Sequence, residues 1–283
     1  MRRLGIVLEM IKFEHTLFAL PFAFLGAFLA ARGFPGWQKT IWILLAMASA
    51  RSAAMAFNRL VDRKLDSINP RTANRALPRK RVEPRFVGVF TLLAGLLFLF
   101  SAGMLNSLAF RLSPLALAIV LFYSFTKRWT SLSHIFLGLS LAIAPVGGWV
   151  AVTGRLDWTP FSLALAVLLW VSGFDIIYAC QDLDFDREVG LFSFPSRLGI
   201  RKSLWISSLF HLLMVLVLAV TFVFLGLSFL SWIGLLIAAG GLIYEHRLVH
   251  PNDLSRVNLA FFTLNGLISV ILFLFVGLDL CLS

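Results

Sequence analysis

Apolar segments long enough to cross a membrane alternate with short polar segments along the whole chain. A hydrocarbon core of about 30 Å needs about 20 consecutive apolar residues in a helix. Windows of this kind lie near 16–34, 41–57, 86–105, 108–125, 132–152, 160–178, 204–228, 230–244 and 257–280. The eighth window is short, so the pattern fits eight or nine spans. We predict an all-α fold, a polytopic membrane helical bundle with nine transmembrane helices.

The polar segments between these windows do not have the composition of a linker or of a separate soluble domain. We therefore predict that residues 1–283 form a single transmembrane domain. The composition agrees, because 59% of the 283 residues are hydrophobic and 14% are charged, with a mean hydropathy of +0.90. Soluble globular domains carry a smaller apolar fraction. The basic first residues resemble a signal peptide, but Glu9, Lys12, Glu14 and His15 interrupt the apolar stretch, so we interpret it as the mature first helix.

The net charge of +11 raises the question of a nucleic-acid partner, and the distribution of the charge argues against one. If the N-terminus is cytoplasmic, 20 of the 25 Lys and Arg residues fall on the inner side, mostly in 59–85 and 180–203. Arg51 lies within a span. The positive-inside rule therefore predicts a cytoplasmic N-terminus and an external C-terminus. The basic excess sets the orientation of the protein, and we predict no nucleic-acid binding.

Both long inner segments follow an apolar helix and carry aspartates four residues apart, Asp62 with Asp66 and Asp182 with Asp186. An even number of predicted helices separates the pairs, so both pairs emerge on the same side. A spacing of four places both carboxylates on one helical face, about 6 Å apart along the axis. Like charges at this spacing destabilise a helix unless a cation lies between them. Carboxylate oxygens suit Mg²⁺, which often binds substrate phosphates as well.

Further polar residues extend these two faces into the membrane. Asn58 lies one turn before Asp62 and is a candidate to assist metal binding, while Asp175 and Tyr178 lie on the stripe of the second pair and are candidate catalytic residues. Acidic residues at a helix end are also explained by simple solvation, Asp175 by a structural hydrogen bond, and Tyr178 by packing. However, intramembrane acids are more often functional than structural.

A diphosphate ligand would need cations beside the metal, and the inner segments supply them. The candidates for diphosphate contact are Arg63, Arg71, Lys127 and Arg128, and Arg59 and Arg75 are on the same side. Lys127 and Arg128 are favoured because their loop is short. Each of these cations taken alone is explained as topological charge.

At these residues the chain resembles the UbiA superfamily of intramembrane prenyltransferases. The similarity covers N-x-x-x-D-x-x-x-D at 58–66, NPRTANRALP at 69–78, YSFTKRWT at 123–130 and GFDIIYACQDLDFDREVG at 173–190. The segment IKFEHTLFALPFAFLGA is particularly similar to a bacterial subgroup, the 4-hydroxybenzoate polyprenyltransferase-like proteins, which includes menaquinone-pathway members. Arg59 departs from the family pattern, because many relatives have Asp there. This departure weakens the case for an additional metal ligand at that position.

The resemblance implies a nine-helix enzyme of a bacterial-type inner (cytoplasmic) membrane, with an active site open to the cytoplasm. It implies two Mg²⁺ ions held by Asn58 and the four aspartates, and a polyprenyl diphosphate as the donor. Mg²⁺ would neutralise the leaving diphosphate, and the allylic cation would attack an electron-rich ring carbon of an aromatic acceptor. The isoprenoid tail would exchange with membrane lipid.

Arg51 is the residue from which we predict the acceptor. It lies eleven residues before Asp62, which places it on the same helical face, roughly 16 Å deeper in the membrane. A buried arginine normally has an anionic partner. A salt bridge to Asp175 or Glu14, or bonding to backbone carbonyls, would satisfy it structurally. The functional interpretation, which the resemblance supports, is that the guanidinium binds the carboxylate of a phenolic acid.

These observations predict transfer of a polyprenyl group to 4-hydroxybenzoate or a dihydroxynaphthoate in ubiquinone or menaquinone biosynthesis. Within the superfamily, haem, chlorophyllide, homogentisate or a glycerol phosphate ether are alternative acceptors. From another class, a CDP-alcohol phosphotransferase needs a D-x-x-D-G-x-x-A-R run, which is absent here. A transporter with a carboxylate ion site is the remaining alternative.

Overall fold

The computed structural model describes residues 2–10 and 19–282, and the described chain is helical without any strand. The all-α prediction is therefore confirmed. The helices are α1 Arg2–Met10, α2 Leu20–Ala31, α3 Trp37–Ile68, α4 Pro84–Leu105, α5 Ser107–Thr126, α6 Ser133–Thr153, α7 Thr159–Ala179, α8 Leu183–Val189, α9 Phe194–Leu198, α10 Ile200–Leu225, α11 Phe229–Leu248 and α12 Asn265–Leu282. A 3₁₀ turn, Cys180–Asp182, joins α7 to α8, and a π-helical segment, Leu259–Leu264, leads into α12.

Within the described residues, eight helical stretches are long and apolar enough to cross a membrane. One of them is α11. The apolar window predicted there, 230–244, is short, but the helix itself has 20 residues. The helix predicted at 16–34 appears as α2, which is apolar but has only 12 residues and begins just after the undescribed residues 11–18. The protein is an integral membrane protein. The exact number of spans and their orientation stay predictions.

Two helical stretches are longer than a membrane requires, and both carry aspartates in the excess length. Helix α3 has 32 residues, and α7 continues through α8 for 31 residues. At 1.5 Å per residue each is about 47 Å long, whereas the hydrocarbon core is about 30 Å thick. Hydrogen bonds join Asn69 and Arg71, which follow α3, to Asp182 at the end of the 3₁₀ turn after α7. The two motifs therefore lie on the same side of the bundle, as the sequence predicted.

Glycines allow the helix backbones to come into direct contact where the bundle is most tightly packed. A Cβ on Gly26 of α2 would lie 2.1 Å from the Pro145 carbonyl oxygen, and one on Gly148 of α6 would lie 1.9 Å from the Ala23 carbonyl oxygen. Small residues at such positions let membrane helices approach closely. Helix α6 is thereby held against α2, and a core centred on the buried Trp170 connects α7 with α10, α11 and α12.

Neighbouring glycines of α6 provide a test of this packing. In Gly148→Ala the added methyl group meets the α2 backbone, and we expect a loss of stability of about 1–3 kcal/mol from overpacking. In Gly147→Ala the methyl group has no atom within 4 Å, so the better helix propensity of alanine should leave stability unchanged or slightly higher. Thermal unfolding of both variants in the same detergent makes the comparison, and equal melting temperatures would contradict the packing described here.

Candidate active site

An apolar cavity of about 230 Å³ lies between α2, α3, α4, α5 and α6. The α3 side chains that line it recur every three or four residues from Ile43 to Asn58, and Arg51 is one of them. This stretch of α3 is about 22 Å long at 1.5 Å per residue. Tyr123 of α5 also lines the cavity and lies within electrostatic range of Asp62 and Asp175. The cavity therefore extends from Asn58 of the first motif along α3 into the membrane layer.

Asp62 lies beside the mouth of this cavity, and its carboxylate is held by two cations. The carboxylate is 4% exposed, Lys127 Nζ donates to Oδ2 at 2.5 Å, and Arg128 Nη2 donates to Oδ1 at 2.7 Å. Asn58 Nδ2 also donates to Oδ2 at 3.4 Å. Lys127 and Arg128 follow directly after α5, so the short loop between α5 and α6 carries both cations to the end of α3. The structure thus brings four predicted site residues together.

Asp66 is also buried, and it is held by the segment that follows its own helix. Arg75 Nη1 donates to Asp66 Oδ1 at 2.7 Å, and Thr72 Oγ1 donates to the Asp66 carbonyl oxygen at 3.1 Å. The segment 69–83 between α3 and α4 therefore folds back over the end of α3. Arg75 belongs to this segment and neutralises the second carboxylate of the first motif.

The same segment reaches across to the second motif. Asp182 Oδ1 accepts hydrogen bonds from Arg71 Nε at 2.9 Å and from Asn69 Nδ2 at 3.1 Å, and Arg71 Nη2 donates to Oδ2. Arg71 Nη1 donates to the Tyr178 hydroxyl at 2.7 Å. Partial burial opposes the charge of Arg71, but its hydrogen bonds with Asp182 and Tyr178 outweigh this effect and raise its pKa above the ordinary value. Arg71 is therefore a permanent cation between the two motifs.

Asp186 has a different environment, because its partner is a hydroxyl group. Ser193 Oγ donates to Asp186 Oδ2 at 2.8 Å, and Ser193 is also the N-cap of α9, in a reciprocal capping box with Ser196. The backbone N–H of Phe192 donates to the Lys127 carbonyl oxygen at 2.8 Å. The segment after α8 is thus fixed both to Asp186 and to the loop that carries the cations of Asp62.

Asp175 lies deeper on the same stripe of α7, between residues that are buried. Its Oδ2 is 2.7 Å from Nδ1 of His134, a buried residue at the start of α6. The structural hydrogen bond that sequence analysis considered for Asp175 therefore exists, with His134 as the partner. For Arg51, the sequence analysis also considered a salt bridge to Glu14. Glu14 lies outside the described residues.

Two arginines of α3 beside the first motif point in different directions. Arg63 is exposed, and its Nη1 donates to the Leu60 carbonyl oxygen of its own helix at 3.3 Å, so it is not brought to Asp62. Arg59 has Asp62 and Asp66 as charged neighbours, and its Nη1 donates to Asn58 at 3.4 Å. Its Nε is buried and finds no acceptor among the described residues. An unsatisfied buried donor costs about 1–3 kcal/mol, which an anion could relieve.

The donors of the two motifs fit a hard divalent cation. Carboxylate oxygens, with the amide oxygen of Asn58, are the ligand type that Mg²⁺ prefers. In the described part of the chain, no three Asp, Glu, His or Cys side chains are grouped closely enough to hold a metal ion. Asp62, Asp66 and Asp182 are instead paired with Lys or Arg side chains. A bound cation would therefore have to replace these side chains.

Sequence reasoning did not single out Asn69, His134 or Ser193 as site residues. Asn69 and Ser193 lie in the polar segments after α3 and α8, where many side chains are equally plausible. His134 lies at the start of an apolar helix. Its position one turn before Gly138, on the face of α6 that packs against α7, was the feature of the sequence that could have indicated its role. These residues become recognisable only when the helices are placed in space.

Residues 19–267 match the UbiA prenyltransferase family. The 4-hydroxybenzoate octaprenyltransferase of Vibrio campbellii is 33% identical over 247 residues, which are 86% of this chain and 86% of that protein. The chain therefore belongs to the UbiA prenyltransferase family, and it is an integral membrane prenyltransferase.

Solved structures agree with this assignment. The apo structure of a UbiA homologue from Aeropyrum pernix superposes with a TM-score of 0.86 at 34% identity, covering 94% of this chain and 98% of that one. A UbiA homologue from Archaeoglobus fulgidus, solved with GPP and Mg²⁺ bound, has a TM-score of 0.76 at 19% identity, covering 98% and 100% of the two chains. The second likeness shows the common fold.

Proposed function

We propose that this protein transfers a polyprenyl group from a polyprenyl diphosphate to the ring of an aromatic carboxylic acid, with 4-hydroxybenzoate as the first candidate. The observation that carries the proposal is an apolar cavity lined by Arg51 and Asn58, with Asp62 and its cations beside Asn58. Arg71 joins Asp182 of the second motif to the same end of the bundle. The name of the Vibrio campbellii relative supports this acceptor. The whole chain, 1–283, would act as one catalytic unit.

At the donor end, Asp62 with Asp66 and Asp182 with Asp186 would each hold one Mg²⁺, and Asn58 would assist at the first site. The metal would supply charge that stabilises the departing diphosphate. The Archaeoglobus fulgidus homologue, solved with GPP and Mg²⁺, supports this combination of ligands. Ser193 would keep Asp186 oriented through its hydrogen bond.

The basic side chains would have two alternative partners. In the structure Arg71, Lys127 and Arg128 neutralise Asp182 and Asp62. With a metal ion held by these carboxylates, the same side chains would be available for the diphosphate oxygens, and Arg71 would retain its hydrogen bond to the Tyr178 hydroxyl. Arg59 would join this set, because its buried Nε has no acceptor in the described residues. Arg63 would not, because it lies on the exposed face of α3.

At the acceptor end, the guanidinium of Arg51 would bind the carboxylate of the aromatic acid by paired hydrogen bonds. Arg51 and Asn58 line the same cavity and are seven residues apart, about 10 Å along α3 at 1.5 Å per residue. The ring would then lie between Arg51 and the diphosphate, with Asp175 as the acceptor of the ring proton. The apolar remainder of the cavity, with many alanine residues, would exclude water from the allylic cation and accommodate the isoprenoid tail.

The orientation of the enzyme follows from its charges. On the predicted topology, 20 of the 25 Lys and Arg residues lie on the side of the motifs. We therefore propose that the active site opens to the cytoplasmic side of a bacterial-type inner membrane.

Aspartate substitutions test the metal assignment. Asp66→Asn and Asp182→Asn should each lower turnover by at least about 10²-fold, because a preorganised charge opposite the leaving group is lost. Asp184→Asn is the matched control, since Asp184 lies between the residues of the second pair but is exposed. Prenylated acid is measured by mass spectrometry, with and without EDTA followed by added Mg²⁺. Near-normal turnover in both motif variants, or activity that survives EDTA, would exclude the metal assignment.

Arg51 substitutions test the acceptor assignment. Arg51→Ala should raise the KM for 4-hydroxybenzoate by about 10–100-fold, the value of a charge-assisted hydrogen-bond pair, and change the KM of the prenyl donor little. Arg51→Lys should recover only part of the loss, because an ammonium group cannot form the planar paired contact. Arg63→Ala, an exposed arginine of the same helix, serves as control. An unchanged acceptor KM in Arg51→Ala would refute the anchor.

A further inference from the structure

His134 is a buried histidine whose ring nitrogens both have partners. Nδ1 lies 2.7 Å from Asp175 Oδ2, and Nε2 accepts the backbone N–H of Phe194 at 3.3 Å. The ring also lies parallel to that of Phe194, with 5.6 Å between the ring centres. Only 3% of His134 is exposed, so the imidazole ring is shielded from water. The position of the imidazole is therefore determined on each side.

These partners define the proton on the ring. A backbone N–H is always a donor, so Nε2 must be the unprotonated nitrogen that accepts it. The proton of the neutral imidazole is then on Nδ1, and it is donated to Asp175. The contact is a hydrogen bond from a neutral histidine to a carboxylate, and it needs no imidazolium.

The packing of α6 on α7 explains why these residues meet. A Cβ on Gly138 would lie 2.5 Å from the Leu168 carbonyl oxygen and 2.5 Å from Ser172 Oγ, so only glycine allows this approach. Ser172 Oγ also donates to the His134 carbonyl oxygen at 3.2 Å. The two helices are therefore in close contact within one turn of both His134 and Asp175.

We propose that His134 is a positioning residue for prenyl transfer, which holds Asp175 Oδ2 and leaves Oδ1 to take the ring proton. Tyr123, which lines the cavity, is an electrostatic neighbour of Asp175. This inference rests on the proposed function, in which the acceptor is an aromatic ring. His134 does not contact the substrate and does not itself receive the proton.

The balance of the step is as follows. The allylic C–O bond breaks, and its electrons leave with the diphosphate. A ring carbon donates an electron pair to the allylic carbon, forming the new C–C bond. The C–H bond at that ring carbon then breaks, its electrons restore the aromatic ring, and the proton is accepted by Asp175 Oδ1.

The same histidine connects the acceptor end to the metal end. Phe194, which donates to Nε2, follows Ser193, which donates to Asp186. An alternative role for His134 is therefore to anchor this segment through Nε2, with no effect on Asp175. Substitutions that keep only one of the two hydrogen bonds, at Nδ1 or at Nε2, distinguish these roles.

His134→Asn and His134→Gln test the two roles against each other. The asparagine amide places an N–H near the position of Nδ1, so it keeps the donor to Asp175 and loses the acceptor for Phe194. The glutamine amide reaches the position of Nε2, so it keeps the Phe194 contact and loses the donor to Asp175. Purified wild type and both variants are assayed with geranyl diphosphate, Mg²⁺ and 4-hydroxybenzoate, the latter either unlabelled or deuterated at the ring position that is prenylated.

We expect His134→Asn to retain most of the wild-type kcat and His134→Gln to lose about 10²-fold, the effect of a group displaced by about 1 Å, with little change in either KM. In His134→Gln, and not in the wild type, ring deuteration should slow turnover, because proton loss has become rate-limiting. This isotope effect is measured on the turnover that remains, so it is independent of the fraction of protein that folds.

Retained kcat in His134→Gln with a loss in His134→Asn would overturn the proposal in favour of the anchoring role. Equal losses in both variants without an isotope effect would also overturn it. Absence of prenylated acid with the wild-type protein would instead refute the proposed function itself, so the two failures are distinguishable.

Discussion

The structure depends on the neutralisation of carboxylates that are buried, like Asp62, or partly buried, like Asp182, at the edge of a hydrocarbon layer. A charge in such a place is unfavourable unless it is paired and hydrogen-bonded. Asp62 meets this requirement with Lys127 and Arg128, and Asp182 meets it with Arg71 and Asn69. Because these partners come from the segments after α3 and α5, the charge pairs also determine how the polar segments cover the end of the bundle.

The same ion pairs neutralise the carboxylates that would hold a metal ion. Each aspartate pair offers the oxygens that Mg²⁺ prefers, but cationic side chains already occupy Asp62, Asp66 and Asp182. A divalent cation alone would displace lysine and arginine side chains that then have no anion. A magnesium diphosphate brings both the metal for the carboxylates and the anion for the displaced cations. Metal and diphosphate are therefore expected to bind together, at the end of the cavity beside the aspartates.

Local patterns predicted much of this arrangement. Apolar windows predicted the eight long helices that the described residues contain, and the spacing of four predicted the two acidic faces, because both patterns depend on helical periodicity. Periodicity also shows why Arg63 points away: a residue directly after Asp62 is rotated by about 100° around the helix, as the 3.6-residue turn requires. The contact between His134 and Asp175 depends on the close approach of α6 and α7 at Gly138. The distance between two helices is not encoded in the residue pattern of either helix, so the sequence did not predict this contact.

The coupling between metal and diphosphate tests this account most directly. Titration calorimetry would measure Mg²⁺ binding to the purified protein with and without saturating inorganic pyrophosphate, corrected for the Mg²⁺ that pyrophosphate binds in solution. Linkage requires each ligand to strengthen the other by the same factor, typically about 5–150-fold for coupled sites. The account predicts weak Mg²⁺ binding alone and a gain in affinity of at least about 10-fold with pyrophosphate, within that range. Equal Mg²⁺ affinity in the two titrations would contradict it.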